Sequence, residues 1–239
     1  MASSASRVAI IFGAGSRIGA SLVKRFVGAG YRVATVSRSA SAPNSDSDSD
    51  KTFHVQADLS DPSAAHGAFT QVTQSAGWPF PSVVVWNAAS MTPPAAEDPK
   101  NPLAVPGDGF DRDVAFMVKA PYVAAGEAVR AWREAEGARR GTFIMTGNMA
   151  PRRIFPIPAI TMLGVGKSGA NYWMGAADAA LKEEGIRFFF ADERGPDGGP
   201  AWSEVNGESH AEMYLELVEG KEDLPYYVTF RNGKYEKLD

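Results

Sequence analysis

Three short stretches of the chain carry residue types able to do chemistry. The first reads Gly13-Ala14-Gly15-Ser16-Arg17-Ile18-Gly19, directly after the apolar run Arg7–Phe12. Glycines at this spacing allow a tight turn that opens a helix. The helix N-terminus then presents backbone N–H groups and a positive dipole end to a pyrophosphate. The second is Ser37-Arg38-Ser39, two hydroxyls flanking a guanidinium, which suits a phosphate through paired charge-assisted bonds. The third is Asp192-Glu193-Arg194, which follows Phe188-Phe189-Phe190. The triplet can place a carboxyl near the site as a proton donor, and Glu193 is the candidate. An ion pair of Glu193 with Arg194 or a neighbour is the structural alternative.

Other chemistries lack their residues. There is no Cys, so thiolate nucleophiles, disulfides and Cys-ligated metals are out. The 3 histidines, His54, His66 and His210, form no ligand-spaced pair. Glu208-Ser209-His210-Ala211-Glu212 reads as an exposed polar helix face. Gly166-Lys167-Ser168 resembles the end of a phosphate-binding P-loop, but Thr161 stands where that motif needs glycine and Pro151–Pro158 stands where it needs a strand. No Gly-x-Ser-x-Gly elbow occurs. A net charge of −4 without a basic block argues against nucleic acid and anionic membranes. Met1–Ser6 lacks signal-peptide character, and no apolar run is long enough to span a bilayer, so a soluble cytoplasmic protein is expected.

The elements that position these residues alternate. Continuous apolar runs at 7–12, 31–37, 52–57, 82–86, 142–145, 186–191 and 226–230 read as strands. Helical periodicity fills 17–28, 62–76, 109–135 and 161–184. This is an α/β protein, a single domain over 1–239 with a Rossmann-type, doubly wound parallel sheet of about seven strands. The acidic segment 39–50 reads as a flexible loop. Segments 91–109 and 149–158, rich in proline and apolar residues, read as walls of a substrate site, and 195–225 as a C-terminal substrate-side extension.

The glycine turn, together with Asp58-Leu59 after the third strand, Asn87-Ala88-Ala89 after the fourth and Lys167 early on the last long helix, resembles the short-chain dehydrogenase/reductase family over nearly the whole length. Gly13 and Gly19 match the outer glycines of its Gly-x-x-x-Gly-x-Gly, Arg17 replaces the middle one, and Gly15 is additional. The resemblance implies a nicotinamide dinucleotide held by the turn, adenine beside Asp58 and Leu59, and the nicotinamide ribose bonded by Lys167. With no acid at the end of the second strand, Ser37-Arg38-Ser39 favours NADP(H).

The family's proton-transferring tyrosine, four residues before the lysine, is absent: Leu163 stands there. Thr146-Gly147-Asn148 occupies the helper-serine region and Met117 the helix register of its asparagine. The reading is therefore an atypical NADPH-dependent reductase of a small, partly apolar molecule. Thr146 or Asn148 would orient the substrate, and Glu193 or water would supply the proton. A non-catalytic NADP(H)-binding sensor, or a scaffold recruited for isomerisation or cyclisation, are the alternatives. The family's habit of pairing through its long helices implies a homodimer or homotetramer.

Overall fold

The computed structural model describes residues 7–39, 50–61, 63–135 and 141–238. Ten of the twelve positions of the expected loop 39–50, namely 40–49, lie outside the described residues, as do residues 1–6.

The strands are β1 (Val8–Phe12), β2 (Arg32–Ser37), β3 (Thr52–Gln56), β4 (Val83–Trp86), β5 (Gly141–Thr146), β6 (Ile186–Glu193), β7 (Tyr227–Arg231) and β8 (Lys234–Tyr235). They form one sheet in the order β3-β2-β1-β4-β5-β6-β7-β8. The first seven are mutually parallel, as the buried apolar runs predict. β8 is the one addition to the expected seven. It is antiparallel to β7 and spans 2 residues, too short to leave a periodic signal.

Helices cover both faces. On one face α2 (Ala64–Thr70), α4 (Ala120–Glu134) and α5 (Thr161–Leu181) pack over Phe12, Trp86, Phe143 and Phe188. On the other, α1 (Ile18–Gly28) and α6 (Gly207–Glu219) pack over Ile11, Val85 and Ile144. α3 (Gly107–Val114) runs into α4 through a π-helical turn, Ala115–Lys119, so the expected long helix is nearly continuous. Met117 lies in that turn and is buried against α5, where a Cβ on Gly166 would stand 2.5 Å from its Cε.

Two expectations change here. β6 continues past Ala191, because Asp192 and Glu193 pair with Thr229 and Phe230 of β7. The charged residues are thus the end of a buried strand. The Glu208–Glu212 stretch is also no exposed face: Ser209, His210 and Ala211 are buried, because α6 lies against α1 and β7. The His210 ring meets Tyr214 and Phe230 edge-on at 5.6 and 5.0 Å. Asn206 caps α6 by accepting from the Glu208 and Ser209 backbone N–H groups, which satisfies two orphan donors of its first turn.

Candidate active site

At the carboxyl ends of β1, β4, β5 and β6 the chain encloses a cavity of about 520 Å3. This is the edge of a doubly wound sheet where ligands bind. Gly13 makes the first turn possible. Its φ is +84°, and a Cβ there would lie 2.6 Å from the Ala88 Cα. The close approach lets Asn87 and Ala88 donate their backbone N–H groups to Phe12 O at 2.8 and 3.1 Å. The Asn87 side-chain amide donates to Gly13 O at 2.8 Å. Gly19 packs equally tightly on the Ala14 Cα.

Gly15 differs. A Cβ on it meets nothing within 4 Å, and with Ser16, Arg17 and Ile18 it lines the cavity. No side chain caps the α1 N-terminus, and no acid occupies its first turn. Free amides, an uncompensated dipole end and room for an approaching group together fit a pyrophosphate.

The adenosine side would lie across β2 and β3. Ser37 ends β2, and Arg38 and Ser39 follow it, exposed. Two β3 side chains hold that backbone. Gln56 donates its amide to Arg38 O at 3.0 Å, and His54 Nε2–H donates to Ser39 O at 2.8 Å. His54 Nδ1 in turn accepts from the Thr35 hydroxyl at 2.9 Å. Asp58 is exposed beside buried Leu59. Bonds from the Ser60 N–H and hydroxyl hold the Asp58 carboxyl below the usual range, with a further contribution from the Arg38 guanidinium.

Asn87, Ala89, Thr146, Asn148, Lys167 and Glu193 all line the cavity. Lys167 is buried, and its ammonium donates to the Thr146 carbonyl at 2.6 Å. Burial lowers its pKa to about 8. The Thr146 hydroxyl donates to Asn87 Oδ1 and accepts from the buried Tyr214 hydroxyl, both at 2.8 Å. Its proton is therefore committed inside the protein. Asn148 Oδ1 accepts from the Ala150 N–H at 3.0 Å, which leaves its amide nitrogen as the donor. Leu163 lines the cavity at the tyrosine position, whereas Tyr172 is 82% exposed and stands apart.

Glu193 is buried at the cavity wall. Its Oε2 accepts from the Asn206 N–H at 2.7 Å and lies 3.4 Å from His210 Nδ1. His210 Nδ1–H donates to Asn206 O at 2.8 Å, and burial holds the imidazole below its ordinary pKa, hence neutral. The ion pair of the triplet joins Asp192 to Arg194, Oδ2 to Nε, at 2.7 Å. Neighbours along a strand face opposite sides, so residue 192 and not 193 shares a side with 194. Tyr227 also donates to Asp192 Oδ2 at 2.8 Å and to the Asn148 carbonyl at 3.1 Å. Burial raises the Asp192 pKa against the pull of Arg194 and Tyr227.

Sequence reasoning named Asp192 within its triplet and His210 on a polar face without giving either its partners, and it gave Tyr214 and Tyr227 no role. The strand period could have found the Asp192–Arg194 pair, but no local pattern announces the others.

Comparison with known proteins follows this geometry. The short chain dehydrogenase family model matches residues 7–191. A short chain dehydrogenase/reductase of Cryptosporiopsis sp. (strain 8999) is 35% identical over 240 residues, covering 95% of this chain and 93% of that protein. Among solved structures, a metagenomic short-chain oxidoreductase in complex with NADP aligns with a TM-score of 0.73 at 20% identity, over 96% of this chain and 99% of that one. The 3-ketoacyl-(acyl-carrier-protein) reductase of Brucella melitensis, complexed with NADH, aligns at 0.78 with 21% identity, over 95% and 97% of the two chains. The structural likenesses show the doubly wound fold, and the family match with the Cryptosporiopsis relative shows the lineage. The chain belongs to the short-chain dehydrogenase/reductase family.

Proposed function

We propose that this chain is an atypical NADP(H)-dependent oxidoreductase that reduces a small, partly apolar molecule. The observation that carries the reading is the convergence, on one 520 Å3 cavity, of an uncapped α1 N-terminus, the open surface of Gly15 and buried Lys167. Gly15, Ser16, Arg17 and Ile18 would hold the pyrophosphate. Asp58 and Leu59 would flank adenine, Asn87–Ala89 the adjoining ribose wall, and Lys167 the nicotinamide ribose. Ser37, Arg38 and Ser39 would take a 2′-phosphate, since no acid at the end of β2 opposes one. When bound, the reduced cofactor supplies a hydride.

The protein's own groups do the rest. Lys167, held on the Thr146 carbonyl, keeps a proton near neutral pH because its pKa is about 8. With the Thr146 hydroxyl engaged by Asn87 and Tyr214, the Asn148 amide is the better donor to a substrate oxygen. Glu193 or water would deliver the proton that the tyrosine gives in the family. The apolar wall of Met149, Phe155, Ile160 and Leu163 excludes water and selects the apolar part of a substrate. Pro200, Ala201, Trp202 and Val205 also line the cavity, which supports 195–225 as the substrate-side extension of a single domain. No helix among the described residues is long and apolar enough to cross a membrane. Exposed Tyr122 and Val123 on α4, with Tyr172 on α5, support a homodimer or homotetramer, checked by sedimentation.

A second reading, an NADP(H)-binding protein without turnover, draws on Leu163 at the tyrosine position. One experiment addresses both. NADPH and NADH are titrated by fluorescence, then carbonyl, enone and imine compounds are screened for loss of reduced-nicotinamide absorbance. NADPH binding with turnover is expected. Tight binding without turnover across the panel favours the sensor, and binding of neither cofactor overturns both.

A further inference from the structure

A second cavity, of about 650 Å3, adjoins the first. Ala150, Phe155, Ile160 and Gly164 border both, so the two are direct neighbours. The outer part is walled by the apolar side chains of Ile154, Ile157 and Val165, which are 87%, 42% and 41% exposed. Its charged lining residues are Lys100 and Arg153, with no Asp or Glu among them. The inner part is mixed, with Arg17 and Lys167 as well as Asp192 and Glu193 in its wall, and with Asp192 paired to Arg194. A cleft of one charge sign with low-dielectric walls concentrates the opposite charge. An anionic group is therefore drawn to the outer end, where no carboxylate lines the cleft to oppose it.

Between the two parts stands an aromatic pair. Phe155 lines both cavities, and its ring meets Trp202 edge-on at 5.2 Å. Trp202 is 54% exposed and its φ is +47°, in the left-handed region that a bulky side chain rarely adopts. A half-exposed indole on the cavity wall, beside the Phe155 ring, offers an aromatic surface to a flat ligand.

We infer that the two cavities are one bipartite substrate site, taking a planar apolar molecule against Trp202 and Phe155 with a carboxylate or similar anion at Lys100 and Arg153. This deepens the reductase reading and rests on it for the inner cavity as the reacting end. The substrate is held by its charged end, and its neutral end faces Asn148 and Lys167.

The test is calorimetric titration of the intact protein, without cofactor, with 2-naphthylacetate and its neutral counterpart 2-(2-naphthyl)ethanol. The anion is expected to bind about tenfold more tightly, the effect of one or two charge-assisted contacts. Lys100→Ala with Arg153→Ala should abolish that preference and leave the alcohol's affinity unchanged. Trp202→Gly relieves the left-handed backbone, so its melting temperature should hold or rise while both ligands weaken severalfold. Equal binding of acid and alcohol to the unmodified protein overturns the inference. So does sedimentation showing dimers that Lys100→Glu with Arg153→Glu dissociates, since the cleft would then belong to a second copy. A parallel NADPH titration separates the readings. Normal NADPH binding with no acid preference removes only the bipartite site, whereas an acid preference without NADPH binding removes the reductase reading, and with it the inner cavity as the reacting end, and leaves the anion site at Lys100 and Arg153.

Discussion

Thr146 donates its hydroxyl to Asn87 Oδ1 across 2.8 Å, which ties the end of β5 to the end of β4 beside the glycine turn. Tyr214, from α6, donates to the same hydroxyl oxygen at 2.8 Å. Thr146→Val leaves the Asn87 acceptor and the Tyr214 donor without their partner and should cost about 1–3 kcal/mol. Tyr214→Phe removes one bond and should cost about 1 kcal/mol. Denaturant unfolding of both single variants and the double measures the coupling, and fully additive losses would refute a shared network.

Arg38→Ala should weaken NADPH binding about ten- to hundredfold, the loss of paired bonds to a phosphate, while NADH changes little. Fluorescence titration of both cofactors decides the matter. Equal losses would refute the 2′-phosphate assignment.

Gly13 and Gly15 should respond in opposite ways to alanine. A Cβ on Gly13 strikes the Ala88 backbone from a residue at φ +84°, so Gly13→Ala should destabilise by about 2–4 kcal/mol. Gly15→Ala meets no protein atom and should leave the melting temperature unchanged while weakening the dinucleotide. A stable Gly15→Ala that binds cofactor normally would show that this open surface has no ligand over it.

Lys167 should leave a signature in the pH dependence of stability. Burial lowers its pKa from the ordinary 10.5 to about 8 in the folded protein. Between about pH 8 and 10.5 the unfolded chain thus binds more protons than the folded one, and the Lys167 contribution to stability rises with pH across that window. Below pH 8 the cost of holding the charge in the interior is fully present. Lys167→Met should remove this rise, so the wild type gains on the variant between pH 8 and 10 by melting temperature. Parallel curves would mean that the ammonium is better solvated than its burial implies.

Leu163→Tyr restores a hydroxyl at a cavity-lining position four residues from Lys167. Gained or faster carbonyl reduction, followed by nicotinamide absorbance, is the expected outcome. No gain, with cofactor binding intact, would show that more than the proton donor is missing.

Much of this architecture was legible in the chain because parallel strands buried on both faces are continuous apolar runs, such as Val8–Phe12 and Val83–Trp86. The turn from Gly13 to Gly19 was legible because close backbone approaches at both ends leave room for no side chain there. What stayed hidden depends on partners far away in sequence. His210 is polar at a position that reads as solvent-facing until β7 covers it. Glu193 accepts from a backbone N–H at Asn206, and a backbone donor has no sequence mark. Tyr227 reaches Asp192 and Asn148 only because β7 lies beside β6.

β8 has a consequence for assembly. An unpaired strand edge is a template on which other chains add, and β7 would present one on its outer side. Instead Phe230 and Arg231 pair with Tyr235 and Lys234, Glu236 donates its N–H to Thr229 O at 3.0 Å, and Leu238 donates to the Thr229 hydroxyl oxygen at 3.0 Å. The tail is a self-supplied plug against strand addition. Trimming it before Asn232 would turn β7 into a sticky margin, and the shortened protein should aggregate through that margin with its Gly13–Gly19 turn still intact.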